Sequence, residues 1–143
     1  MTDVCNAARS RRGRIRIEGE GRVGSGSDHV AAVHRYHTVW TEVDVETRLE
    51  TLSEIWADDG VYLDPDVPDG VVGRKALSDL IDASVAQFAG LVITATSDVA
   101  ALGDRAWYRW RATTRDGETF EGTDFFEFDA EGRIQRLTDF FDP

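Results

Sequence analysis

A single cysteine in 143 residues excludes an internal disulfide, and Cys5 lies well before the regular part of the chain. A reducing, cytoplasmic location is the default for such a composition. No apolar run approaches the roughly 18 residues that a membrane-spanning helix needs. The opening MTDVCNAARSRRGR lacks an apolar core, so no secretory leader is expected. No group of cysteine and histidine has metal-ligand spacing, so neither a metal nor a cofactor is expected. Basic residues are also scarce, 16 Lys and Arg against 27 Asp and Glu, for a net charge of −11.

What positive charge there is sits mostly at the start. Residues 1–28 carry arginines 9, 11, 12, 14, 16 and 22 against Asp3, Glu18, Glu20 and Asp28, a balance of +2 that leaves −13 on residues 29–143. A domain that acidic repels phosphate backbones, which excludes nucleic acid as a partner of its surface. The Arg/Gly-rich head has no usable helical or strand period and reads as a disordered extension over 1–28; a basic arm with a role of its own is the alternative. With 41% hydrophobic residues, the remainder at 29–143 is long enough for one core and too short for two ordinary domains.

Past Ser27 the pattern becomes regular. Ser27 or Asp28 can cap a helix through about Glu42, with Val30, Val33, His37 and Trp40 at helical spacing. A second helix is expected from Val45 to Ala57 and a third from Arg74 to Phe88, closed by Gly90. Four β segments follow, at about 91–100, 105–115, 118–128 and 133–141, with Asp116–Gly117 as a two-residue hairpin turn. Helices first and an antiparallel meander last predict an α+β domain, a curved sheet closed by three helices into a cone. Cone interiors make concave apolar sites with few polar groups.

The segment IWADDGVYLDPDVPDGVVGRKAL, residues 55–77, carries the chemistry. It reads as a helix end, a strand at Val61–Asp64, a Pro/Gly-broken loop and a new helix after Gly73. Residues two apart on a strand share a face, so Tyr62 and Asp64 point the same way. A phenol beside a carboxylate at a strand end supplies the parts of an acid–base site. Asp64 capping the Pro65–Gly70 loop and nothing more is the plainer reading.

This segment resembles the corresponding one of the nuclear-transport-factor-two-like superfamily, which holds SnoaL-like polyketide cyclases, ketosteroid isomerases and limonene epoxide hydrolases. The closing GTDFFEFDAEGRIQRLTDFFD, residues 122–142, is similar to the family's last two strands and their D-x-x-G-R-I hairpin. The resemblance covers residues 29–143 and implies the cone-shaped fold, a small hydrophobic ligand and a homodimer. Against the isomerases, Asp64 matches the general base and Asp124 the oxyanion-hole aspartic acid, while Trp40 stands where their oxyanion-hole tyrosine would be. Against the epoxide hydrolases, Tyr62 and Asp64 match the residues that hold the attacking water, and Asp139 matches a catalytic aspartate. Their arginine has no clean equivalent, since Trp107 and Arg109 occupy the places where it would fall. Neither reaction carries over intact.

A two-residue turn at Asp116–Gly117 would set Arg109 opposite Asp124. The expected catalytic set is therefore Asp64, Tyr62, Asp124 and Asp139 in one cavity, walled by His37, Trp40, Trp107, Arg109, Phe126 and Phe141. In that arrangement Arg109 keeps Asp124 charged and leaves Asp64 as the carboxylate with altered proton affinity. Arg109–Asp124 as a purely structural ion pair, and His37 as a cavity-wall histidine, are the plainer alternatives. His29 and His34 are expected to face solvent. Tyr108, Trp110 and Phe125 are expected on the convex face, where they would support a homodimer. Three functions fit: a cofactor-independent acid–base isomerase, cyclase or hydrolase acting on a hydrophobic small molecule, a small-ligand carrier, or a dimerisation module.

Overall fold

The computed structural model describes residues 26–143. The Arg-rich head up to residue 25 lies outside them, while residues 26–28, expected to belong to that head, open the first helix. In chain order the elements are α1 (Gly26–Val39), α2 (Val45–Ile55), β1 (Trp56–Asp64), β2 (Val67–Val72), α3 (Arg74–Gln87), β3 (Val92–Ala95), β4 (Ala100–Leu102), β5 (Arg105–Thr113), β6 (Thr119–Phe128) and β7 (Ile134–Phe141). The strands form one seven-stranded sheet in the order β2-β1-β7-β6-β5-β3, with β4 also paired to β5. All pairings are antiparallel except β1 with β7, which is parallel.

Local chemistry explains most boundaries. Asp44 caps α2 by accepting from the Thr47 amide at 2.9 Å, the usual role of an acidic residue at this position. The helix stops at Ile55, not at Ala57, because Trp56 and Ala57 are already extended and buried on the sheet. Asp58 and Asp59 therefore lie within β1, exposed in an irregularity between the Trp56–Ile134 and Val61–Arg136 pairs. Gly60 is required there, since a Cβ would lie 2.4 Å from the Trp56 indole nitrogen. The expected Pro/Gly loop is largely a strand: Val67, Val71 and Val72 pair with β1. Pro68 is tolerated because β2 is an edge strand, where a missing N–H costs no ladder bond. The single strand expected at 91–100 is instead broken in two, with Ser97 Oγ accepting from the Arg109 amide at 2.8 Å across the gap.

The hairpin between β5 and β6 departs from expectation by one residue. Thr114 and Glu118 close a three-residue loop of Arg115, Asp116 and Gly117, the glycine at φ +87°. Such loops commonly place a glycine in the left-handed region at their last position. Tyr108, not Arg109, is thus opposite Asp124. One residue of slip exchanges the two faces of a strand. Ala106, Tyr108, Trp110 and Ala112 turn inward, and Arg105, Trp107, Arg109 and Arg111 turn outward.

The core lies between the helices and the concave face, built on Tyr36, Leu52, Trp56, Leu77, Ile81, Phe126, Ile134 and Leu137. Arg48 is buried within the helical layer. It donates to the carbonyls of Glu42 and Ser78, to the Ser78 hydroxyl and to Asp82, tying the α1–α2 connection to α3. His29 is also buried, contrary to expectation, because its ring stacks on Phe128 at 4.0 Å. His34 is exposed. Replacing Arg48 by methionine would leave two buried carbonyls without their donor. We expect Arg48→Met to cost about 3 kcal/mol, a fall of about 10 °C in the thermal midpoint.

Candidate active site

The concave face and the helices enclose a cavity of about 290 Å³. It is walled by Tyr36 and His37 of α1 and Trp40 just beyond it, Ser84 of α3 and Phe88 just beyond it, Leu91, Ile93 of β3, and Tyr108, Trp110 and Ala112 of β5. Phe120 and Phe141 complete the apolar wall, and Tyr62, Asp64, Asp66, Asp124 and Asp139 supply the polar one. Tyr62, Asp64, Asp124 and Asp139 therefore share one cavity, joined by His37, Trp40 and Phe141. Three other expected wall residues lie elsewhere. Trp107 points out and is 42% exposed. Arg109 reaches Thr123 Oγ1 at 2.9 Å and pairs with Asp142 on the convex side. Phe126 is fully buried in the core behind the cavity, stacked on Tyr108 and edge-on to Tyr36.

The register sets the central pair. Asp124 of β6 and Asp139 of β7 are direct cross-strand partners, both pointing inward. The Trp110 indole N–H donates to Asp124 Oδ1 and to Asp139 Oδ1, each at 3.1 Å. Gly122 makes this possible, because a Cβ there would lie 2.5 Å from the Trp110 ring. The Tyr62 hydroxyl is shared between Asp64 Oδ2 at 2.8 Å and Asp139 Oδ2 at 3.3 Å. Asp64 caps the turn as expected, its Oδ1 accepting from the Asp66 and Val67 amides, and it also lines the cavity, its Oδ2 accepting from Tyr62. At the other end, Tyr108 Oη shares a 2.8 Å hydrogen bond with His37 Nδ1 and contacts Asp124. A continuous polar chain thus runs His37–Tyr108–Asp124–Asp139–Tyr62–Asp64. Trp40 stands apart from it, donating to Tyr36 Oη at 2.6 Å.

Residues 33–137 match the family model of the SnoaL-like domain. The chain belongs to the SnoaL-like family. No functionally curated protein matches it. Among solved structures, a candidate isomerase of the SnoaL-like family from Agrobacterium tumefaciens superposes with a TM-score of 0.74 at 26% identity, over 82% of this chain and 99% of that one. A candidate ketosteroid isomerase from Kribbella flavida gives 0.65 at 22% identity, over 82% and 80%. A ketosteroid isomerase-like fold from Catenulispora acidiphila, in complex with trimethylamine, gives 0.61 at 18% identity, over 76% and 82%.

Electrostatics in this SnoaL-like domain differ from the expected pattern because Arg109 pairs with Asp142 on the opposite face and does not reach Asp124. Burial, then the neighbouring Asp139, pushes the Asp124 carboxyl well above the ordinary range. Burial lifts Asp139 to about 6, against the hydrogen bonds it makes. Two carboxyls this close titrate as a unit, and a proton shared between them would relieve the repulsion. Burial lowers the proton affinity of His37, opposed by its hydrogen bond to the Ile93 backbone. Burial likewise raises the phenols of Tyr36, Tyr62 and Tyr108, so they serve as donors.

Tyr108 and Trp110 were expected on the convex face, yet they make the contacts that organise the carboxyls. The alternation in RAWYRWRAT held the signal, since arginines at 105, 109 and 111 claim one face for solvent. Tyr36, four residues from Trp40, also belongs to the cavity wall and was missed.

A group whose folded pKa is raised binds extra protons in the folded state. Its contribution to stability is complete below the unfolded value and is lost as pH rises through the folded value. Asp139→Asn removes that loss. We expect it to stabilise the domain by about 2 kcal/mol more at neutral pH than at pH 4, read by urea denaturation at both. Trp110→Phe removes a donor to both carboxylates, and carboxyl-detected NMR should then find Asp139 titrating above its native value.

Proposed function

We propose that this protein is a cofactor-independent acid–base enzyme, of isomerase, cyclase or hydrolase type, acting on a small hydrophobic molecule. The observation that carries the reading is the cross-strand Asp124–Asp139 pair set into a largely apolar cavity. A catalytic base works best with a pKa near the working pH, and Asp139 at about 6 meets that condition. In this reading Asp139 exchanges a proton with carbon or water. Asp124 holds the shared proton and, with Tyr62, stabilises charge that develops on a substrate oxygen. Asp64 orients Tyr62 and offers a second acceptor. This moves the base from Asp64, the position implied by resemblance, to the pair left without an arginine. The cavity lies at the small end of ligand sites, so a substrate of about ten to fifteen heavy atoms fits the reading.

A carrier without turnover is the second reading. Trp40 favours it, because the indole replaces a hydroxyl donor and its N–H is already committed to Tyr36. For assembly we propose a homodimer through the convex sheet face. The apolar residues there are Trp107, Phe125 and the 58% exposed Phe140, not the inward-facing Tyr108 and Trp110. We further propose a cytoplasmic location, in keeping with one cysteine. Among the described residues no helix is long and apolar enough to cross a membrane.

Hydrogen–deuterium exchange next to the carbonyl of small cyclic ketones, followed by NMR in D2O, tests the chemistry without knowledge of the natural substrate. The enzyme reading expects exchange above background that falls by a factor of about 100 or more in Asp139→Asn, with ketone affinity changed little. Saturable ketone binding with no exchange would favour the carrier.

A further inference from the structure

We infer that the ligand of this cavity carries a positively charged alkylated amine, seated among the aromatic rings with its charge towards the Asp124–Asp139 pair. The inference rests on the reading of the cavity as the substrate site, not on turnover. The groups that face the pair can be counted element by element. Helix α1 brings Tyr36 and His37; β1 and its turn bring Tyr62, Asp64 and Asp66; β5 brings Tyr108. Helix α3 and β3 add no charged side chain to the cavity wall. Among the described residues no lysine or arginine lines it, and the arginine closest in sequence register, Arg109, is turned to the opposite face by the hairpin.

Every contact to the two buried carboxyls therefore comes from a neutral donor, Trp110, Tyr62 or Tyr108. Neutral donors orient a carboxylate but leave its charge uncompensated. An anionic ligand would add to the repulsion, and a neutral one would leave it as it is. A cation would relieve it. The rest of the cavity suits such a guest, because aromatic faces attract alkylammonium groups by their quadrupole while accepting the alkyl substituents as apolar surface. Tyr62, Tyr108 and Trp110 contact the carboxyls, Trp40 lines the same cavity tilted against Tyr62, and Phe88 and Phe120 stand edge to face at 6.4 Å in its wall. Cation binding should also hold the pair deprotonated, so affinity should rise with pH.

The test compares benzyltrimethylammonium with its neutral isostere neopentylbenzene, by NMR titration of the full chain. The two have nearly the same shape, so a difference reports charge alone. At about pH 7.5 the cation should bind roughly tenfold or more tighter than the hydrocarbon. At about pH 5 its affinity should drop about tenfold as Asp139 takes up a proton, while the hydrocarbon is unaffected. The double variant Asp124→Asn/Asp139→Asn should abolish that pH step, and a step that survives would assign it to another group and overturn the placement. Equal affinity for the two compounds, or no cation binding at about 10 mM, would overturn the inference with the native chain alone. Ketone exchange alongside a hydrocarbon preference removes the amine and leaves the acid–base reading standing. Cation selectivity without exchange supports the amine and removes the enzyme.

Discussion

Two aspartates facing each other across neighbouring strands, inside an aromatic cone, is the constraint around which the site is built. Ionised carboxylates at such a separation repel, and a low-dielectric surrounding strengthens the repulsion. The fold accommodates them by three devices described above. Trp110 donates to both, Tyr62 and Tyr108 approach from either side, and burial raises the proton affinity of both carboxyls. Each device has its own supporting residue: Gly122 clears the space for the indole, and His37 engages the Tyr108 hydroxyl. The site is stable only as a set.

The cost of holding this pair is distributed over the rest of the molecule. Arg48 shows the contrasting solution to buried charge, since its guanidinium is surrounded by carbonyl oxygens, a hydroxyl and a carboxylate. There the charge is matched and the role is to fasten helices together. At Asp124 it is unmatched, and unmatched buried groups are where chemistry concentrates. The same side-chain type elsewhere on the sheet, such as Asp142 beside Arg109, has an ionic partner and lies outside the cavity.

The order of helices and strands was legible from hydrophobic period and turn residues, and two motifs were specific enough to indicate the family. The four carboxyl and phenol residues were legible because their spacing from Pro65 and Gly132 is short and local. What was not legible depended on a single turn. Asp116–Gly117 suits a two-residue connection, but three residues form the loop, and that one-residue difference reversed the face of every β5 side chain. Arg109 thereby left the site and Tyr108 entered it. Local turn chemistry and the arginine alternation of β5 disagreed, and the burial pattern prevailed because it sums over nine residues while the turn involves two. His29 escaped for another reason: its stacking partner Phe128 is about a hundred positions away, and no local pattern encodes such a contact.

The parallel pairing of β1 with β7 has consequences for how the molecule comes into being. Strand β7 is the last in the chain yet lies inside the sheet, flanked by β6 on one side and the earliest strand on the other. Until it is in place, β1 and β2 form only an isolated hairpin. The contacts that join the two halves span more than seventy residues, and loop closure on that scale slows folding. On a ribosome the helices and the first hairpin must wait, with apolar faces uncovered, until β7 has emerged. Asp64 and Tyr62 lie on the earliest strand and Asp139 on the latest. The candidate active site therefore cannot form before β7 has paired with β1 and β6, which ties its assembly to closure of the sheet.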